Sequence, residues 1–294
     1  DEPLPGDNGA HLGPYRLLEQ LGTGGMGDVF LAQHRLLGRR VAIKRLHEQF
    51  ARDPIAVRRF FDEARLVNQI SHPNIVEITD LVCEGQAVYY VMELIEGSTL
   101  LETIRNSKGL ELKRVADIGL QLAAALQAVH DAGIIHRDLK PDNVLLTQRH
   151  GHRDHVKLLD FGIAKLRSAH EGGKNRTLVG FVVGTPGYMA PEQIMGQRLD
   201  SRTDLYALGI LLYEMITGRR AFGGKSAGEL MIKQASQVPA APRLSDGGRI
   251  PPVLEDVVVA CLQIEADKRP SSAAEIIDAL RVVREELDPR AQAR

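Results

Sequence analysis

From Tyr15 to about Met92 the chain alternates short runs of β-branched, aromatic and aliphatic residues with glycine-containing turns. That pattern predicts strands over 15–21, 29–33, 40–46, 75–82 and 87–92. One helix interrupts them: Asp53 suits an N-cap, Pro54 the first helical position, and Val57, Phe60, Ala64, Val67 and Ile70 then recur at helical spacing with Glu63 beside the stripe. Beyond 93–97 the signals turn helical: 111–131 stopped at Gly133, 205–217 stopped at Gly218, 253–263, and 272–286. The last opens with the capping-box spacing Ser272 to Glu275. The reading is an α+β chain: linker 1–13, small β-rich lobe 14–92, connector 93–97, larger mainly helical lobe 98–287 and linker 288–294.

At 294 residues the chain exceeds the size of one ordinary core, which agrees with two lobes. With 37 Lys plus Arg against 38 Asp plus Glu, no strong field selects nucleic acid or an acidic membrane. Cys83 and Cys261 stand far apart without metal-ligand spacing, so reduced thiols and a cytoplasmic location are expected. The longest apolar run, 205–216, contains Glu214 and is too short to span a bilayer. The acidic, Pro/Gly-rich opening is no signal peptide, and the chain reads as a domain of a longer protein whose anchor, if any, lies elsewhere.

Three polar constellations stand out. Residues 136–143 read His-Arg-Asp-Leu-Lys-Pro-Asp-Asn, and the apolar run Val156-Lys157-Leu158-Leu159 leads into Asp160-Phe161-Gly162. Phosphoryl transfer needs such groups: one carboxylate (Asp138) orients the attacking hydroxyl, an amide (Asn143) and a second carboxylate (Asp160) hold Mg²⁺, and an ammonium (Lys140) neutralises the moving phosphoryl. Any one alone reads as a turn residue; the whole string does not. Residues 22–27 read Gly-Thr-Gly-Gly-Met-Gly, stripping side chains so that backbone N–H groups can approach phosphate oxygens. A plain flexible turn and a dinucleotide loop are the rivals, but the following Val29-Phe30-Leu31-Ala32 is another strand rather than a helix. Lys44 closes the apolar strand Val41-Ala42-Ile43, where an ammonium needs an anionic partner, and Glu63 is the candidate.

These strings resemble protein kinases over about residues 14–287. Residues 184–192, Gly-Thr-Pro-Gly-Tyr-Met-Ala-Pro-Glu, resemble the end of a kinase activation segment, where Thr185 with Lys140 marks serine/threonine specificity. Gly-Gly-Met-Gly and the stretch 202–206 look most like the eukaryotic-like serine/threonine kinases of bacteria. The resemblance implies a bilobal protein kinase fold, use of ATP with Mg²⁺ (or Mn²⁺), and protein substrates. It assigns Asp138 as base, Lys140 to the γ-phosphate, and Lys44 with Glu63 to phosphate positioning. Leu21, Gly22, Gly24, Gly27, Val29, Ala42, Met92 as gatekeeper, Glu93, Ile95 and Leu145 would form the ATP site. Val29, Ala42 and Leu145 would sandwich the adenine, and backbone groups of Glu93 and Ile95 would bond its edge. His136 and Phe161 would stack with Val67 and Ile78 as a spine.

By the same resemblance Arg137 and Lys165 would contact a phosphate on Thr177, placed by autophosphorylation in trans between two copies. Glu192 and Arg269 would form a buried structural ion pair, Asp204 would anchor the catalytic-loop backbone, and Ile163 would favour threonine over serine as acceptor. Two departures are visible: Ala221 where the family often has proline, and a longer 148–155 stretch whose His150, His152 and His155 alternate with arginines and read as a solvated insertion rather than a metal site. A pseudokinase scaffold is the rival in another class, but Lys44, Asp138, Asn143 and Asp160 are all intact. A small-molecule kinase would lack the 184–192 platform.

Overall fold

A computed structural model describes residues 10–85, 87–149, 151–161 and 184–288. His150, Gly162, Ile163, Lys165 and Thr177 lie outside the described residues. The chain divides into two units, one comprising the residues up to Ser71 with Val76–Glu96 and the other His72–Ile75 with Gly97 onward.

The smaller unit is an antiparallel sheet of β1 (His11–Leu12), β2 (Tyr15–Thr23), β3 (Gly27–His34), β4 (Arg40–Leu46), β5 (Ile78–Glu84) and β6 (Ala87–Met92) in the order β1-β2-β3-β4-β6-β5. Alternation along these strands buries Leu12, Tyr15, Ala32, Val41, Ile43, Tyr89 and Val91 in one cluster. His11 and Leu12, within the stretch read as linker, therefore contribute to a sheet and a core. Gly13 makes their hairpin, with φ +53 and room only for glycine, since a Cβ there would lie 2.6 Å from the Tyr89 hydroxyl. Two helices follow β4, the single turn α1 (Glu48–Ala51), too short to carry a periodic signal, and α2 (Pro54–Asn68). Asp53 caps α2 by accepting the Ile55 N–H at 2.9 Å, and Ala56, Phe60, Phe61, Ala64 and Val67 form its buried face.

β5 starts at Ile78 rather than at Ile75. The β-branched pair Ile75-Val76 resembles a strand start, but the Ile75 N–H turns back to His72 O at 3.1 Å, and Ile75 bridges Leu158 of the larger unit instead.

The larger unit holds β7 (Gly97–Thr99), β8 (Val144–Arg149) and β9 (His152–Leu158) in that sheet order. Its helices are α3 (Leu100–Arg105), α4 (Leu112–Asp131), α5 (Pro191–Ile194), α6 (Arg202–Thr217), α7 (Ala227–Ser236), α8 (Pro252–Cys261) and α9 (Ala273–Glu286). α6 is buried on nearly every face, which explains an apolar run without a stripe, and it stops at left-handed Gly218 with φ 65. Gly119 lets α4 pass close to two helices: a Cβ there would meet Leu212 of α6 at 2.9 Å and Leu280 of α9 at 3.0 Å. α3 and α7 have no counterpart in the sequence reading.

Two expectations are corrected. Ser272 makes no side-chain cap for α9; the Glu275 carboxylate is taken by the Ser271 hydroxyl, so the reciprocal bond moves one residue upstream. Residues 148–149 and 152–155 are not an inserted loop but the ends of β8 and β9, folded back at Gly151 with φ 78, while Gln148, Arg149, Gly151 and Arg153 are exposed, as the solvated reading expected. Asp154 receives both arms of Arg114 at 2.7 Å, and Gln121 bonds the Asp154 carbonyl and the Val156 N–H at 2.9 Å each, which ties the hairpin to α4.

Candidate active site

Within the larger unit, the catalytic-loop string is held from beneath by α6. Asp204, 1% exposed, accepts the His136 N–H with Oδ2 and the Arg137 N–H with Oδ1, each at 2.8 Å. Arg137 can then adopt φ 68, a left-handed conformation that is unfavourable for a residue with a Cβ unless its neighbours hold it. His136 is fully buried, and burial pushes its pKa below the ordinary histidine value, so the ring is neutral. Its Nδ1 accepts the Asp138 N–H at 3.3 Å, its Nε2 faces Leu159 O at 3.2 Å, and its face lies 4.5 Å from the Phe161 ring.

Asp138 is 8% exposed and sits 3.5 Å from the Lys140 ammonium. The Thr185 hydroxyl joins them, 3.3 Å from Lys140 Nζ and 3.4 Å from Asp138 Oδ1. Asn143 closes a 3₁₀ turn, Pro141–Asn143, and its amide nitrogen donates to the Asp138 carbonyl at 3.0 Å and approaches the Asp160 carbonyl at 3.4 Å. A planar amide anchored by its nitrogen turns its oxygen to the opposite side. Asp160 follows β9 at a second positive φ, 29. Folding thus brings together a carboxylate, an ammonium and a hydroxyl, with an amide and a further carboxylate on adjacent backbone.

The 185–190 loop is fixed from below by buried polar groups. Gln234 of α7, fully buried, accepts the Gly187 N–H at 2.9 Å and donates to Met189 O at 3.0 Å. The Tyr188 hydroxyl donates to Glu214 at 3.0 Å. Arg269 lies bidentate on Glu192 at 2.7 Å on both arms, with side chains 0% and 7% exposed. Burial works against the Glu192 charge, but the Arg269 bonds outweigh it and hold the carboxyl below its usual range. Sequence reasoning missed Gln193, Glu214 and Gln234, because nothing in a helix pattern tells a glutamine that bonds a distant loop from one on the surface.

The smaller unit carries the other candidates. Lys44 on β4 lies 3.7 Å from Glu63 on α2, both largely buried, and 5.8 Å from the Tyr90 ring centre. Leu21, Gly22, Gly24, Gly27, Val29, Ala42, Met92, Glu93 and Ile95 belong to this unit, and Leu145 to the larger one with Arg137, Asp138, Lys140, Asn143, Asp160 and Thr185. The Glu93 N–H is engaged with Glu77 O at 3.0 Å.

Phosphate and cation fit these residues. At Gly22 an added Cβ would meet nothing within 4 Å, at Gly24 it would make only an ordinary 3.4 Å contact, and neither has a positive φ. The fold does not need glycine there, while bare backbone suits an approaching phosphate. Asp160 and Asn143 offer hard oxygen donors of the kind Mg²⁺ takes.

The protein kinase domain model matches residues 15–280. The serine/threonine-protein kinase Pkn1 of Myxococcus xanthus is 41% identical over 93% of this chain and 39% of its own length. PkaA of Streptomyces coelicolor is 41% identical over 95% of this chain and 51% of its own, and PknA of Mycobacterium tuberculosis 37% over 92% and 62%. The chain therefore spans about two fifths to three fifths of the length of these relatives. The crystal structure of the Mycobacterium tuberculosis PknI kinase domain superposes with a TM-score of 0.68 at 26% identity, covering 94% of this chain and 98% of that one. With the bilobal kinase architecture, the chain belongs to the protein kinase domain family.

Proposed function

We propose that this chain is the catalytic domain of a serine/threonine protein kinase that transfers the ATP γ-phosphoryl group to hydroxyls of protein substrates. The observation that carries this reading is the convergence of Asp138, Lys140 and the Thr185 hydroxyl within 3.3 to 3.5 Å of one another. Asp138 orients the acceptor hydroxyl and takes its proton, and Lys140 stabilises charge on the transferring group. Lys44, held by Glu63, positions the nucleotide phosphates under the glycine flap, with Met92, Glu93, Ile95, Val29, Ala42 and Leu145 taking the adenine. Asn143 and Asp160 would hold Mg²⁺ or Mn²⁺, which supplies charge neutralisation at the phosphates when bound.

Regulation follows from Arg137. Its guanidinium is part-buried, burial lowers its pKa from the ordinary arginine value, and its Nε has no hydrogen-bond partner among the described residues. A phosphate on Thr177, placed by a second copy, would supply the missing acceptor with Lys165 as second contact. Among the described residues no helix is long and apolar enough to cross a membrane; we read the domain as working in the cytoplasm.

The test is transfer of label from γ-labelled ATP to protein and to a peptide library. Asp138→Asn should retain nucleotide binding and lose turnover by roughly 10²–10⁴-fold. Asp160→Asn should weaken binding of the Mg²⁺ nucleotide itself. Autophosphorylation near wild type in Asp138→Asn would remove that residue from the role of base.

A further inference from the structure

We infer that Gln193 is a positioning residue for the base Asp138, acting through the main-chain carbonyl of Arg137; this rests on the kinase reading above. Arg137 precedes the base and is held at φ 68. A side-chain-bearing residue stays there only if surrounding bonds over-determine it. Its N–H is secured by Asp204 at 2.8 Å, and its carbonyl accepts from Gln193 Nε2 at 3.0 Å. That carbonyl belongs to the same peptide plane as the Asp138 N–H, which is taken by His136 Nδ1 at 3.3 Å. The plane is therefore gripped on both edges, by Gln193 at the oxygen and His136 at the nitrogen. Its rotation would swing the Asp138 side chain away from Lys140 and Thr185.

The other end of the Gln193 amide accepts the Ala190 N–H at 2.9 Å. Ala190 ends the loop that presents Thr185 to Asp138. One planar group thus joins the catalytic loop to the 185–190 loop, and it must donate at one end and accept at the other. A carboxylate of the same length keeps the acceptor and loses the donor; a thioether keeps neither. Capping of α5 explains only the Ala190 bond and leaves the bond to Arg137 unaccounted for.

Gln193→Glu and Gln193→Met, made in this chain, separate these roles. Two measurements run in parallel: steady-state peptide phosphorylation, and amide hydrogen exchange over residues 136–140. In both variants kcat should fall about ten-fold, the scale of one lost hydrogen bond, with KM for ATP nearly unchanged and faster exchange over 136–140. Wild-type kcat and exchange in Gln193→Glu would overturn the inference, as would a loss confined to Gln193→Met, which would assign the effect to α5 capping. A wild-type chain that transfers no phosphoryl group would sink the kinase reading, while the exchange comparison would still decide the role of Gln193.

Discussion

Asp204 holds Arg137 by its backbone, Oδ1 accepting the Arg137 N–H at 2.8 Å from a side chain that is 1% exposed. Its Oδ2 also takes the His136 N–H and lies 2.8 Å from His130 Nε2. Asp204→Ala strands these donors in the core, and stranded buried donors are costly, so a loss of roughly 3 kcal/mol is expected. Asp204→Asn keeps one acceptor and should lose less. Urea unfolding measures both, and equal losses would show that the two oxygens do not act separately.

The flap glycines divide into two kinds. A Cβ on Gly27 would lie 2.3 Å from the Arg45 carbonyl, so Gly27→Ala must displace β-sheet backbone and should cost about 1–3 kcal/mol. Gly22→Ala meets nothing within 4 Å and should leave stability unchanged while raising KM for ATP. Thermal melts beside ATP titrations separate the two, and a destabilised Gly22→Ala would contradict the open surroundings of that position.

Arg269→Met leaves the Glu192 carboxylate buried without its bidentate partner. Breaking one side of a buried pair costs about 3–5 kcal/mol, whereas replacing both sides by apolar residues costs much less. The double variant Glu192→Leu/Arg269→Met should therefore be more stable than Arg269→Met alone. Additive losses in the double-mutant cycle would show that the pair is not coupled.

Glu214 is 4% exposed, and burial raises its pKa from 4.5 to about 7, with Tyr188 and Arg220 opposing and Asp142 adding to the rise. The folded state thus prefers the protonated acid. Its stabilising share is fully present below the unfolded value near 4.5 and is lost as pH rises through about 7. The shift of about 2.5 units corresponds to a decline on the order of 3 kcal/mol across that window. Glu214→Gln can still accept from Tyr188 but cannot ionise. Stability of wild type relative to Glu214→Gln should fall between pH 4.5 and 7, and a flat difference would refute a raised Glu214.

Strand and helix signals in the chain were local, and so were readable. Asp53 and Pro54 start α2, Gly218 ends α6, and alternating residues mark β3 and β4, because caps, left-handed glycines and pleats act between near neighbours. The string 136–143 with Asp160 was readable for another reason: most of its chemistry is packed into a short stretch whose residue types leave few other uses. Where the reading slipped at Ile75 and in 148–155, the deciding partner was remote; at Ser272 it was the adjacent Ser271, a choice between neighbouring serines that spacing alone does not make. Leu158 captured Ile75, and α4 captured the hairpin through Arg114 and Gln121.

Gln193, Gln234 and Glu214 mark the limit of local pattern. Each is an ordinary polar residue on a helix, and it acquires meaning only when the folded backbone brings an unsatisfied N–H, C=O or hydroxyl within about 3 Å, the range in which a hydrogen bond acts. Gln193 meets the Arg137 carbonyl across 56 positions of chain. That meeting depends on the packing of α5 and α6 against the catalytic loop, and long-range packing of this kind has no periodic trace in the order of residues.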